Sequence, residues 1–161
     1  MIRGIHHAAI ATPDLDRLVA FYTDVVGFEP VMDTAWTDRP LVDRMVNLPG
    51  SAARQVMLRA GNAFLEFFEY SSPEPVPARP ERNPADHGYT HICLDVVDID
   101  AEHARLSANG MTFHSTPPTT EEMGGGPPRL RAIYGRDPDG NIVELQEVLD
   151  PNLPFALPET K

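Results

Sequence analysis

Two stretches, His7-Ala-Ala-Ile-Ala-Thr-Pro-Asp14-Leu-Asp16 and His91-Ile-Cys-Leu-Asp-Val-Val-Asp98-Ile-Asp100, decide how this chain reads, because the second repeats the first 84 residues on. His91 answers to His7, Asp98 to Asp14 and Asp100 to Asp16. In each, a small or apolar strand follows the histidine, and an aspartate then stands where a helix N-cap is wanted. Leu15, Leu18, Val19 and Tyr22 recur at helical spacing before Gly27; Ile99, Ala104 and Leu106 do so before Gly110. Both helices therefore end at a glycine. The match resumes further on, where Ala63-Phe-Leu-Glu66-Phe-Phe-Glu69 and Asn141-Ile-Val-Glu144-Leu-Gln-Glu147 lie 78 residues apart. Each half closes on an apolar strand interrupted by a carboxylate. The repeating unit is strand, helix, then several strands, βαβββ, used twice.

Between the halves runs SSPEPVPARPERNPAD, residues 71–86, rich in proline and charge and without periodicity, which reads as a linker. The expected organisation is a single domain over 1–161. It comprises a first βαβββ module at 4–70, the proline-rich linker at 71–86, a second module at 87–149 and a tail at 150–161. Residues 115–128, with Pro117-Pro118 and Gly124-Gly125-Gly126, read as a loop. The fold class expected is α+β, the paired βαβββ modules forming a concave half-barrel sheet around a metal site. Each half-sheet has one apolar face, to be buried against the other or against a partner chain.

Composition narrows the function. Thirteen Lys and Arg against 24 Asp and Glu give a net charge of −11 over 161 residues, a balance that repels nucleic acid and acidic membrane surfaces. No apolar run approaches the ~20 residues of a membrane span. The first residues do not read as a signal peptide, and the single Cys93 has no intrachain partner. The expectation is a cytoplasmic protein that binds neither nucleic acid nor membrane and acts on a small molecule.

Four residues interrupt the apolar strands at repeat-related positions: His7 and His91 at the start of each module, Glu66 and Glu144 inside each last strand. An ionised carboxylate in an apolar strand is costly unless it is paired or ligates a metal. A lone histidine in a strand is most often a hydrogen-bonded structural residue, but four ligand-type residues at matched positions in two halves make a set. His7, Glu66, His91 and Glu144 would give two nitrogens and two carboxylates, a composition suited to Zn, Ni, Co, Mn or Fe, with the two carboxylates balancing the 2+ charge. His6 alternates to the opposite face and is structural or solvated. Glu69 and Glu147 lie three residues beyond the candidate ligands and are expected on the exposed face. Period-two alternation then assigns the pocket lining to Ala9, Phe64, Phe68, Cys93, Ile142 and Gln146. Trp36, Met45 and Met123 fall in flanking irregular segments that could cover it.

The segments Ile5-His6-His7-Ala8-Ala9-Ile10-Ala11, Ala20-Phe21-Tyr22-Thr23-Asp24-Val25-Val26-Gly27-Phe28, Gly88-Tyr89-Thr90-His91-Ile92 and Asp137-Pro138-Asp139-Gly140-Asn141-Ile142-Val143-Glu144-Leu145 together resemble the vicinal oxygen chelate superfamily. That superfamily includes glyoxalase I, methylmalonyl-CoA epimerase, extradiol dioxygenases and the fosfomycin and bleomycin resistance proteins. The pattern is nearest to glyoxalase I and methylmalonyl-CoA epimerase. The resemblance implies paired βαβββ modules, a divalent metal on His7, Glu66, His91 and Glu144, and a homodimer. Two departures bear on the reaction. Ala11 and Tyr70 stand where bacterial glyoxalase I has the Arg and Asn that hold glutathione, and the strand Arg54-Gln55-Val56-Met57-Leu58 lacks the carboxylate base of the epimerase.

The expected activity is that of a metal-dependent isomerase, epimerase or lyase, moving a proton next to a carbonyl of an apolar or aromatic compound with vicinal oxygens. Glu144 is the expected base, with Glu66 second. An Fe(II) extradiol-type ring-cleaving dioxygenase is one alternative, and a non-catalytic drug-sequestering resistance protein is the other.

Overall fold

The computed structural model describes residues 1–79 and 81–158. The chain divides into two compact units, Met1–Ala78 and Arg79 onward. In the first, strand β1 (His7–Ala11) leads into helix α1 (Leu15–Ala20), which continues as a π-helical turn, Phe21–Val25, and is followed by β2 (Glu29–Trp36), helix α2 (Pro40–Val46), β3 (Ala52–Ala60) and β4 (Ala63–Ser72). In the second, β5 (Ile92–Asp95) leads into α3 (Ile99–Ser107), β6 (Thr112–Phe113), β7 (Leu130–Arg136) and β8 (Ile142–Val148). Each unit forms a four-stranded mixed sheet, ordered β1-β4-β3-β2 and β5-β8-β7-β6. The first strand runs parallel to the last, and the remaining pairs are antiparallel. The fold is α+β, and neither four-stranded sheet closes into a barrel. Among the described residues no helix is long and apolar enough to cross a membrane.

The apolar face of each sheet is covered by its own unit's helix, which differs from the expectation that the faces cover one another or meet a partner. Leu15, Leu18 and Tyr22 of the first helical segment are fully buried, as are Leu58 and Phe67 of the sheet beneath them. The Tyr22 and Phe67 rings pack with centroids 5.0 Å apart. In the second unit Ile99 and Leu106 of α3 are buried together with Ile133, Val143 and Leu145. Alternation along each strand therefore points one set of side chains under the helix and the other set to the opposite face of the sheet.

Polar contacts that also recur in the repeat fix where each helix starts. Asp14 Oδ1 accepts the Arg17 N–H at 3.0 Å, and Asp98 Oδ1 accepts the Ala101 N–H at 3.1 Å, satisfying donors that every helix N-terminus leaves unpaired. Glu69 and Glu147, expected on an exposed face, reach the same helix starts. Glu69 Oε2 accepts the Leu15 N–H at 3.0 Å, and Glu147 Oε1 accepts the Asp98 N–H at 2.8 Å. Glu147 is consequently no exposed residue, its side chain being only 13% accessible. Arg54 and Arg131, both on the third strand of their unit, then bind the aspartate in the first helical turn, Asp16 at 2.6 Å and Asp100 at 2.7 Å.

Helix α2 was not legible in the sequence and has no counterpart among the described residues of the second unit. Pro40 opens it and Asn47, at φ +53°, ends it in the left-handed conformation. None of its residues is buried. Its Asp43 carboxylate accepts from Gly50 N–H at 2.8 Å, Ser51 N–H at 2.9 Å and Ser51 Oγ at 2.7 Å. Ser51 Oγ in turn accepts the indole N–H of Trp36 at 2.9 Å.

Candidate active site

The face of the first sheet opposite its helix carries His7 and Ala9 from β1, Phe64, Glu66 and Phe68 from β4, and Gln55 and Met57 from β3, as the register dictates. His7 pairs with Phe64, Ala9 with Glu66, Met57 with Glu66 and Gln55 with Phe68. His7 Nε2 lies 3.3 Å from Glu66 Oε2. Glu66 is 8% exposed, one of four buried polar or charged residues among those described. Its second oxygen, Oε1, accepts a hydrogen bond from the side-chain amide of Gln55. On the far side of the imidazole, His7 Nδ1 and His6 Nδ1 are 3.0 Å apart, so one ring donates and the other accepts. His6 precedes the strand, so alternation does not govern it; its ring stacks on Phe64 with centroids 4.9 Å apart.

The second unit repeats the pair. His91, immediately before β5, places Nε2 3.0 Å from Glu144 Oε2 on β8. Its Nδ1 lies 2.8 Å from Thr90 Oγ1, and its ring meets Tyr134 edge-on at 5.1 Å. Cys93 pairs with Glu144 across β5 and β8, as does Tyr134 across β7 and β8. The Tyr134 phenol and the Cys93 thiol are thereby the cross-strand neighbours of Glu144. Partial desolvation, reinforced by the Glu144 charge, pushes the Cys93 thiol up to about 12. It stays protonated at neutral pH and is no nucleophile. Desolvation, then the Glu144 carboxylate, likewise raises Tyr134. The turn before β8 is held by buried Asp137, whose Oδ1 accepts the N–H groups of Asp139 and Asn141, each at 2.9 Å. That sets the strand carrying Glu144.

Each candidate pair is thus brought together within its own unit. Among the described residues no group of three or more His, Cys, Asp or Glu is placed to hold an ion. The donors themselves fit a divalent metal. Two atoms each ~2.1 Å from an ion lie roughly 3.0 to 3.4 Å apart at right-angle to tetrahedral geometry, which is the separation in both pairs, 3.3 and 3.0 Å. Each imidazole also has its Nδ1 engaged by a polar neighbour, the arrangement that orients a metal-binding histidine through Nε2.

Of the remaining lining residues, Ala9 and Cys93 are exposed, Phe64, Phe68 and Gln146 are half-buried and Ile142 is buried. Trp36 is the last residue of β2 rather than part of an irregular segment, and its ring lies edge-on to Phe68 and Tyr70, each at 5.9 Å. Met45 sits on α2 at 73% exposure, and Met123 lies in a turn and is exposed. Gln55 escaped the sequence reading. Its signal was its place on the hairpin strand facing Glu66, in the segment otherwise noticed for lacking a carboxylate.

Residues 4–145 match the model of the Glyoxalase/Bleomycin resistance protein/Dioxygenase superfamily. The chain belongs to this family. It is 35% identical over 165 residues to 2-epi-5-epi-valiolone epimerase from Actinomyces sp., covering 96% of this chain and 82% of that protein. To ethylmalonyl-CoA/methylmalonyl-CoA epimerase from Cereibacter sphaeroides it is 28% identical, covering 92% of this chain and all of that one. Among solved structures, a glyoxalase family protein from Bacillus cereus superposes with a TM-score of 0.80 at 16% identity, covering 92% of this chain and 96% of the other.

Proposed function

We propose that this member of the superfamily is a metal-dependent epimerase that removes and returns a proton at a carbon next to a carbonyl, with His7, Glu66, His91 and Glu144 as the metal ligands. The observation that carries the reading is the pair of matched His–Glu contacts, one in each unit, in a chain 35% identical to an epimerase over 96% of its length. A divalent ion held there supplies positive charge beside the carbonyl oxygen and so acidifies the neighbouring C–H.

The protein's own groups do the rest. Glu144 is the base: as the C–H bond breaks, its electron pair stays on the carbon–carbonyl unit, and the proton forms an O–H bond on the carboxylate. Tyr134 and Cys93, its cross-strand neighbours, flank it on the same face of the sheet. Half-buried Phe64 and Phe68 flank Glu66 along β4 and offer apolar contact to a substrate ring or chain. Solvent supplies the proton that adds to the opposite face of the same carbon, which inverts it, and takes up the proton left on Glu144. A small carbonyl compound with vicinal oxygens is the proposed substrate class. The relatives' names give two compounds to try, 2-epi-5-epi-valiolone and methylmalonyl-CoA.

The test combines metal analysis of the purified protein with proton NMR of either compound in deuterium oxide. We expect about one metal equivalent per chain, lost in His91→Ala, and deuterium entering one carbon of one substrate as its configuration inverts. Glu144→Gln should retain substrate binding and lose exchange. A protein that takes up no divalent metal on titration, or Glu144→Gln exchanging at the wild-type rate, would overturn the reading.

A further inference from the structure

We infer that Gln55 is a positioning residue that makes Glu66 a fixed, single-oxygen ligand, leaving Glu144 as the carboxylate free to carry the proton; this rests on the reading of Glu66 as a metal ligand. The Gln55 amide donates to Glu66 Oε1, while Oε2 is the oxygen 3.3 Å from His7 Nε2. Only an amide N–H can face the carboxylate, since the amide oxygen would set acceptor against acceptor. With one oxygen bound to a neighbouring strand, the carboxylate of Glu66 has little freedom to turn, and Oε2 alone stands beside the imidazole. A neutral amide also cannot take up or hand on a proton, so Gln55 fixes this carboxylate without offering it a route for exchange.

Comparison of the two units supports the assignment. Gln55 sits opposite Phe68, two residues beyond Glu66. The matching place in the second unit, opposite Gln146, is Ala132, which has only a methyl group to offer. Glu144 has instead the phenol of Tyr134 and the thiol of Cys93 as neighbours. The two carboxylates occupy equivalent positions in the repeat yet differ in what holds them, and that difference separates a ligand that stays put from a base that moves.

Two substitutions separate hydrogen bonding from packing. Gln55→Met keeps the length and volume of the side chain and removes its donors; Gln55→Glu keeps its shape and replaces the donor with oxygen. Metal-free protein is titrated with Co(II), followed by visible absorption and calorimetry, and kcat for deuterium exchange is measured at saturating metal. The expected result for both variants is Co(II) affinity about 10- to 100-fold weaker, the range typical for loss of a group that orients a metal ligand, with kcat within a few-fold of wild type once metal saturates.

Wild-type affinity and spectrum in Gln55→Met would overturn the inference while leaving the metal reading intact. So would a loss of kcat that saturating metal does not restore. A wild-type chain that binds no Co(II) would overturn both. A measurement needing no variant decides the matter if either variant fails to fold. In nitrogen-15 NMR of the wild-type protein, one side-chain amide proton of Gln55 should lie downfield and resist exchange, whereas a pair of averaged, freely exchanging protons would refute the contact.

Discussion

Nε2 of His91 stands 3.0 Å from Oε2 of Glu144, and the opposite nitrogen of the same ring is 2.8 Å from the hydroxyl of Thr90. With Nδ1 donating to Thr90, the lone pair lies on Nε2, the tautomer that a metal requires. Thr90→Val keeps the β-branched shape and removes the hydroxyl. It should weaken Zn(II) binding about 10-fold with little change in thermal unfolding, as calorimetry of the metal-free protein would show. Unchanged affinity would mean that edge contact with Tyr134 alone orients the imidazole.

Glu147 is expected to matter to stability although it takes no part in the site. Its Oε1 accepts the Asp98 N–H at 2.8 Å and its Oε2 lies 3.7 Å from Arg131, with 13% of the side chain accessible. Glu147→Ala removes the acceptor at the start of α3 and should cost about 1–3 kcal/mol. Glu147→Gln retains an acceptor oxygen and should cost less. Urea denaturation of the two variants tests the order, and equal losses would assign the effect to packing.

Stability should fall on acidification through the paired aspartates. The guanidinium of Arg131 holds the Asp100 carboxyl below its ordinary range, and that of Arg54 does the same for Asp33. A carboxylate with a lowered pKa in the folded state contributes stability above its unfolded pKa, about 3.9. That stability is lost as pH falls through the lower folded value. The urea midpoint should therefore change little from these groups between about pH 7 and 5, then drop below about pH 4. In Asp100→Asn the acid drop should be smaller, and a drop as steep as wild type would remove Asp100 from the account.

Trp36 is the only tryptophan in the chain, so its fluorescence reports one place. Its indole N–H is bound to Ser51 Oγ at 2.9 Å, and its ring meets Phe68, two residues from Glu66 on the same face of β4. Ser51→Ala should free the indole and shift its emission, with a loss of about 1–3 kcal/mol for the polar groups left unpaired around Ser51. In wild type the emission should change when a substrate of the proposed epimerase reaction binds. Titration without any change would place the substrate away from Phe68.

The helices and central strands were legible because their apolar residues keep one period over several turns or alternations: Leu15, Leu18 and Tyr22 on one side, Val56, Leu58, Leu65 and Phe67 on the other. Helix α2 was hidden because it buries nothing; without an apolar stripe, only Pro40 and Asn47 mark its ends. Glu69 is exposed as expected, but Glu147 was misplaced because alternation gives only the side of the sheet a residue leaves from. It does not say whether a helix N-terminus waits there.

What the sequence by itself determined is the duplicated βαβββ plan and the matched residues His7, His91, Glu66 and Glu144, since period and repeat offset are properties of the order of residues. Only the tertiary structure decided what each of these touches. Hairpin register brought Gln55 to Glu66 and Tyr134 to Glu144, and parallel pairing set Cys93 opposite Glu144. The physical reason is that hydrogen bonds reach across strands between residues far apart in the chain, where neither hydrophobic period nor local propensity carries any record of the partner.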